Sequence, residues 1–324
     1  MDFQLPERVE LANIPTPVRR MDSLSQRLGK EIYVKRDDLT GCATSGNKIR
    51  KLEFVLAEAL RREVDVVITV GSIQSNHCRA TAFACRKVGL QPHLILRGEK
   101  PGKATGNLLL DRLCEARVKV ISPDDYYQRL DEVVHEVVEE HEAEGRNCLY
   151  VPSGASTPLG AMGYILAAKE IFQWQEESGV EPDRIYHAAG SGGTSAGLTI
   201  GTRLYGIRGK VRGINVGEPQ QEFVEFIEKL VRDTIKDYEV PISYEDCSLE
   251  IVDGYYGEGY GDITPEALDT IRLLARSEGI VLDPVYSAKG MYGVMEEESR
   301  IDGGTILFIH TGGIFSLFGF EIQD

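Results

Sequence analysis

A chain of 324 residues that is 42% hydrophobic and 27% charged has the composition of a globular protein, long enough for a large core in two lobes. Its formal charge of −15 excludes a general nucleic-acid binder, because a phosphate backbone is repelled, but it leaves room for a small anion in a locally positive pocket. No run approaches the ~20 apolar residues of a membrane-spanning helix, so none is expected.

The opening MDFQLPERVELANIP has no basic stretch followed by an apolar one; no export signal is read, and the expected location is cytoplasmic. Six cysteines (Cys42, Cys78, Cys85, Cys114, Cys148, Cys247) form no C-x-x-C pair, which favours free thiols over disulfides or zinc. The six histidines make no H-E-x-x-H or H-x₃-H pattern, so no metal site is expected.

In chain order, residues 1–30 read as an extended entry containing Thr16-Pro17, then a short helix over 21–28. A strand over 31–35, EIYVK, breaks into the loop DDLTGCATSG. Ile49, Leu52 and Phe54 begin an apolar helical stripe behind Asn47, a good cap residue, which predicts a helix over 47–62. The buried strand DVVITVGS follows, then a helix stopped by Gly89. HLILR, GNLLLDRLCEA and VKVIS read as strand, helix and strand, residues 126–144 as one charged amphipathic helix, and CLYVPSG closes the section.

After Pro158 come a helix over 160–176 and the strand, glycine turn and helix of DRIYHAAGSGGTSAGLTIGTRL. VRGINVG is a strand, 222–237 a helix, and SLEIVDGYY a strand leading into a tyrosine-rich turn. Helices over 264–278 and 288–298 precede the final buried strand TILFIHTGG. Buried strands alternating with helices predict an α/β protein whose parallel sheets are covered on both faces. The lobe limits are set near 51 and 158, giving a large lobe of residues 1–51 plus 159–324 and a small lobe of 52–158.

Ligands of open α/β sheets gather at the carboxyl ends of strands. Four polar clusters fall there: Ser75-Asn76-His77, residues 190–197, Tyr286-Ser287 and Thr311-Gly312-Gly313. The run G-S-G-G-T-S-A-G over 190–197 lets backbone N–H groups turn inward at a helix start, with hydroxyls from Ser191 and Thr194, and so suits a phosphate; a tight packing turn is the plainer alternative. It departs from the dinucleotide fingerprint, since Ser195 holds the third glycine position and the acid Glu218 is too far along.

Lys48 falls in the first turn of the helix after Asn47, where the positive end of the dipole disfavours an ammonium and pushes toward the neutral amine of Schiff-base chemistry. Taken alone it reads as a solvated surface lysine, and Asn76 as a mere helix cap. Tyr260 and Tyr286 alone read as packing residues, and His77 and His310 as structural. A lysine together with a phosphate cup, however, suggests pyridoxal phosphate.

S-G-N-K-I-R-K-L-E-F, G-S-I-Q-S-N-H, G-S-G-G-T-S-A-G, L-D-P-V-Y-S-A-K and F-I-H-T-G-G together resemble the fold-type-II pyridoxal phosphate enzymes of the 1-aminocyclopropane-1-carboxylate (ACC) deaminase and D-cysteine desulfhydrase family, in the same order from about Ile14 to Phe318. The resemblance implies two lobes with the cofactor between them, a small amino-acid substrate and a homodimer. It makes Lys48 the Schiff-base lysine and the base that moves the α-proton, a choice over Lys51 that rests on the asparagine-lysine context. Asn76 is implied to bond the ring oxygen, and Gly190, Ser191, Gly192, Gly193 and Thr194 to hold the phosphate with Lys51. Tyr286 is placed near the ring, and Ser75 and Tyr260 near the substrate carboxylate and leaving group.

ACC deaminases resemble D-P-V-Y-E and H-L-G-G, with the glutamate beside the pyridine nitrogen; this chain has Ser287 and Thr311 at those positions. A carboxylate keeps that nitrogen protonated and makes a strong electron sink, whereas a hydroxyl makes a weaker one that suffices for β-elimination. The expected activity is therefore D-cysteine to pyruvate, sulfide and ammonia. L-cysteate sulfo-lyase or ACC deaminase activity is the alternative, and a nicotinamide-dependent oxidoreductase or a non-catalytic cofactor-binding protein the reading from another class. Gly154-Ala155-Ser156-Thr157 departs from the family's G-G-S-N, and Thr44-Ser45-Gly46 from its double glycine. The loss of asparagine at Thr157 is expected to change contacts to the substrate carboxylate or side chain.

Overall fold

A computed structural model describes residues 3–99, 102–217 and 220–321; Glu218 lies outside them. The first part holds β1 (Val18–Arg20), α1 (Asp22–Leu28), β2 (Glu31–Lys35), α2 (Asn47–Arg61), β3 (Val66–Ser72), α3 (Asn76–Lys87) and β4 (Gln91–Arg97). Then come α4 (Gly106–Leu113), β5 (Arg117–Ile121), α5 (Pro123–Gln128), α6 (Leu130–Glu142) and β6 (Cys148–Val151). The remainder is α7 (Pro158–Ser178), β7 (Arg184–Ala189), α8 (Gly193–Leu204), β8 (Lys210–Asn215), α9 (Gln220–Asp237), β9 (Leu249–Val252), α10 (Pro265–Glu278), α11 (Ser287–Glu298), β10 (Thr305–Ile309) and α12 (Ile314–Leu317).

Two sheets form. One runs β5-β4-β3-β6 and is parallel throughout; the other runs β1-β2-β10-β7-β8-β9 and is parallel except for β1. Their central strands are apolar on both faces, as in β3 with Val66, Val67, Ile68 and Val70 buried, because helices cover each side. The expected single helix over 126–144 is instead two. The Ser122 hydroxyl caps a turn that begins at Pro123, and Arg129, at φ −133°, leaves helical geometry between α5 and α6.

Helix α2 joins the two sheets. Ile49, Leu52 and Leu56 pack into a core with Val67 and Ala80, while Phe54 packs into another with Met162 and Ile165, and the helix runs through residue 51 unbroken. Beneath it lies a buried charge network that the sequence did not announce. Arg50 donates to both Asp37 oxygens (2.8 and 2.9 Å) and both Glu170 oxygens (2.7 and 2.9 Å). Lys35 donates to Glu170 at 2.6 Å, and the Tyr164 hydroxyl to Asp37 at 2.6 Å. The neighbouring cations hold the Asp37 carboxyl down to about 2 despite its burial.

Candidate active site

The geometry of Lys48 begins two residues upstream. Gly46 adopts φ +103°, and a Cβ there would lie 2.7 Å from the Thr311 carbonyl oxygen, so only glycine lets the loop after β10 come this close. The Asn47 N–H then donates to that carbonyl at 3.0 Å, pinning the start of α2 to the 310–313 loop. Asn47 is not the cap expected of it. Gly46 holds the cap position, which frees the Asn47 side chain to bridge: its Nδ2 donates to Thr194 Oγ1 (3.0 Å) and its Oδ1 accepts from Lys48 Nζ (2.8 Å).

Lys48 keeps some accessible surface where it opens on the cleft, with Nζ 5.8 Å from the Tyr286 ring centre. Its pKa falls from 10.5 to about 8. The direction matches the expectation but the main cause does not: burial is the largest contribution, Asp283 opposes it, and Arg79 adds to it. Lys51, one turn on, is fully buried and donates to the Gly154 carbonyl at 3.2 Å. Burial, with the Lys48 charge second, drives its pKa well down.

The glycine turn sits at the carboxyl end of β7, where α8 begins. The backbone N–H groups of Ser191, Gly192, Thr194 and Ser195 find no acceptor among the described residues, and the buried Ser195 hydroxyl has no partner either. A Cβ on Gly193 would lie 2.9 Å from both Lys51 Nζ and Ser156 Oγ, so the glycine lets the Lys51 amine come close to the cup. Ser156, named in the sequence only within the Gly154-Ala155-Ser156-Thr157 run and given no role there, accepts from Gly193 N (3.1 Å) and donates to Ser191 Oγ (3.0 Å). Orphan amides, a helix N-terminus and a lysine behind them make an anion cradle that fits a phosphate.

The facing wall is the start of α3. Ser75 caps it, accepting from Cys78 N at 3.1 Å, and the N–H groups of Asn76 and His77 find no acceptor among the described residues. The Asn76 amide is oriented by a relay. Arg79 is only a donor, so its Nε bond to Asn107 Oδ1 (3.2 Å) fixes which end of that amide is oxygen. Asn107 Nδ2 then donates to Asn76 Oδ1 (2.9 Å), leaving Asn76 Nδ2 as the donor that faces the cleft.

Lys48, Ser75, Asn76, Gly190, Ser191, Gly192, Thr194, Tyr260, Tyr286 and Thr311 all line one cleft between the two sheets; Lys51 and Gly193 stand behind the lining. The Tyr260 and Tyr286 hydroxyls bond each other. Thr311 and Ser287 differ in availability. The Ser287 hydroxyl donates to Asp283 Oδ1 (2.6 Å), accepts from Asp283 N (2.8 Å) and does not line the cleft, whereas the Thr311 hydroxyl makes no hydrogen bond among the described residues.

His77 and His310 make structural bonds. The Thr69 hydroxyl gives its proton to Val151 O (2.7 Å) and so accepts from His77 Nε2 (2.8 Å), while His310 bonds Val281 O and Gly312 N. Thr157 is absent from the lining, and its hydroxyl caps α7 by accepting from Gly160 N at 3.1 Å. Arg97, Tyr126 and Tyr127 line the cleft, and sequence reasoning missed them. The available signal was an arginine at a strand's carboxyl end.

The chain matches the family model described as pyridoxal-phosphate dependent enzyme over residues 9–312. It is 40% identical over 312 residues to a Pyrococcus furiosus protein named putative 1-aminocyclopropane-1-carboxylate deaminase, covering 96% of this chain and 93% of that one. It is also 40% identical over 324 residues to an Arabidopsis thaliana protein named bifunctional D-cysteine desulfhydrase/1-aminocyclopropane-1-carboxylate deaminase, mitochondrial, covering 95% and 78%. Among solved structures, an ACC deaminase homologue superposes with a TM-score of 0.89 at 39% identity, covering 97% of this chain and 94% of that one. A threonine deaminase of T.th. shares the fold, with a TM-score of 0.67 at 19% identity, covering 95% of this chain and 94% of that one.

Proposed function

The chain belongs to the family of pyridoxal-phosphate dependent enzymes, and from that premise we propose that it is a lyase removing the β-substituent of a small amino acid, with D-cysteine the first candidate. Sulfide, pyruvate and ammonia are then the products. The bound cofactor supplies an aldehyde for amines and an electron sink for the pair left when the α-proton departs. The cradle at the start of α8 suits its phosphate, with Lys51 as counter-charge. In this reading Asn76 Nδ2 donates to the ring oxygen, and Lys48 holds the cofactor and carries the α-proton; their place in the cleft lining and the lowered Lys48 pKa support those roles. Ser75 and the free amides of α3 are suited to the substrate carboxylate.

One observation carries the choice of elimination over cyclopropane opening: no carboxylate lines the cleft among the described residues. Ser287 is engaged with Asp283, so the Thr311 hydroxyl is the group left to meet the ring nitrogen, and a neutral partner leaves that nitrogen a weak sink. A weak sink suffices when a good leaving group sits on Cβ. The relatives' names carry both activities. The test is 2-oxo acid release by the holoenzyme from D-cysteine, L-cysteine, β-chloroalanine and ACC. Pyruvate from the first three without 2-oxobutanoate from ACC supports the reading; 2-oxobutanoate as the faster product overturns it. A homodimer and a cytoplasmic location belong to the same proposal, tested by sedimentation and by cell fractionation.

A further inference from the structure

Helix α11 carries Tyr286 into the cleft at its cap position and, three residues on and on the same side, buries Lys289 completely. Lys289 does not line the cleft. Its Nζ turns to the loop between β9 and α10, donating to the Tyr256 carbonyl at 2.7 Å and the Gly259 carbonyl at 3.3 Å. It makes no ion pair among the described residues, and burial pushes its pKa down against the pull of Asp262 and Asp283. A buried amine in the first turn of a helix is electrostatically disfavoured, and the two carbonyl acceptors offset that cost.

The rest of the loop lies along the same stripe of α11. A Cβ on Gly293 would lie 3.0 Å from the Tyr255 ring, and Glu297 accepts from the Tyr255 hydroxyl at 2.7 Å, so positions 289, 293 and 297, spaced by four, clasp the loop from base to tip. The tip ends on Tyr260. Gly259 and Gly261 flank it at φ +153° and +86°, so its backbone is free to turn unless the Gly259 carbonyl is held. Its hydroxyl bonds that of Tyr286 and lies 3.5 Å from Ser72 Oγ, at the end of β3 in the other sheet. We propose that Lys289 is a positioning residue for the reaction: by holding the carbonyl next to Tyr260 it sets where that hydroxyl stands against Tyr286, so that one helical turn places both phenols. The inference rests on the β-elimination reading, in which Tyr260 stands by the leaving group.

The experiment measures kcat and KM for D-cysteine and β-chloroalanine with holoenzyme of the wild type, Lys289→Met, Lys289→Gln and Tyr260→Phe, and of each Lys289 variant combined with Tyr260→Phe. Amide hydrogen exchange over residues 254–262 is followed in the same proteins. Lys289→Met should lower kcat about 10- to 100-fold, the scale of a displaced catalytic group, while KM moves less than about threefold and exchange in the loop speeds up. Lys289→Gln keeps a donor and should fall between, and it serves if Lys289→Met does not fold. In the Tyr260→Phe background either Lys289 substitution should cost less than about twofold, because the hydroxyl it places is gone. An equal loss with and without that hydroxyl overturns the inference and makes Lys289 a residue of the fold. Unchanged exchange in the loop overturns it as well, whatever the activity. Silence of the wild type on both substrates removes β-elimination itself, and the exchange measurement then decides alone whether Lys289 holds the loop.

Discussion

The lowered pKa of Lys48 has a kinetic signature in apoprotein. Attack on an aldehyde needs the neutral amine, so capture of pyridoxal phosphate tracks the deprotonated fraction. At pH 7.5 a lysine of pKa about 8 is roughly one-quarter neutral, against roughly one part in a thousand at the ordinary value of 10.5. The gain is about 200-fold in the rate of adduct formation, read as the growth of yellow absorbance after mixing. The rate should rise tenfold per pH unit below about pH 8 and then level off. Borohydride reduction followed by peptide mass analysis assigns the adduct to Lys48 or Lys51, and Lys48→Ala should abolish it. A rate still climbing tenfold per unit above about pH 9, or an equal adduct in Lys48→Ala, refutes the reasoning.

The same shift enters stability with a definite sign. Between about 8 and 10.5 the unfolded chain binds more protons at residue 48 than the folded one, so apoprotein stability rises with pH across that window. A shift of this size corresponds to about 3 kcal/mol, and Lys48→Met should flatten the slope by that amount. Arg50→Met leaves Asp37 and Glu170 buried with Lys35 as their remaining cation and should cost about 3–5 kcal/mol in urea denaturation. Ala155 holds φ +49°, a left-handed conformation that glycine adopts freely, so Ala155→Gly should stabilise by about 0.5–1 kcal/mol in the same assay. Asn107→Leu releases the Asn76 amide, and the pH at which the bound cofactor changes colour should rise by about one unit as a donor to its ring oxygen is lost.

Local order was readable where chemistry repeats at short range. The strand over 31–35 and the apolar stripe of Ile49, Leu52 and Phe54 follow from periodicity and are observed as β2 and the buried face of α2. The polar clusters at strand ends converge because parallel strands point their carboxyl ends one way. What stayed hidden depends on partners distant in sequence. Arg50 meets Glu170 120 residues away, so nothing local distinguishes it from a surface arginine. Asn47 carries the signature of a cap, yet Thr194, 147 residues on, competes for its side chain and wins. Arg97 and Tyr126 lie in segments that read as an ordinary strand and an amphipathic helix, and only the packing of β4 beside α5 brings their side chains together.

Charge placement explains how an acidic chain keeps a reactive amine. A carboxylate beside Lys48 would pair with the ammonium and hold its pKa high. The acid that acts on it, Asp283, is taken up elsewhere: its oxygens accept from the N–H groups of Val285, Tyr286 and Ser287 and from the Ser287 hydroxyl. Asp37, on the other side of α2, is likewise held by Arg50, Thr16 and Tyr164. Both acids are therefore spent on local structure, and burial decides the state of the lysine. The serine at position 287 serves this end as well, since its hydroxyl occupies Asp283. Replacing it with alanine should leave that carboxylate less satisfied and closer in effect to Lys48, moving the midpoint of pyridoxal phosphate capture above about 8. An unchanged midpoint in Ser287→Ala would mean that the backbone amides alone hold Asp283 in check.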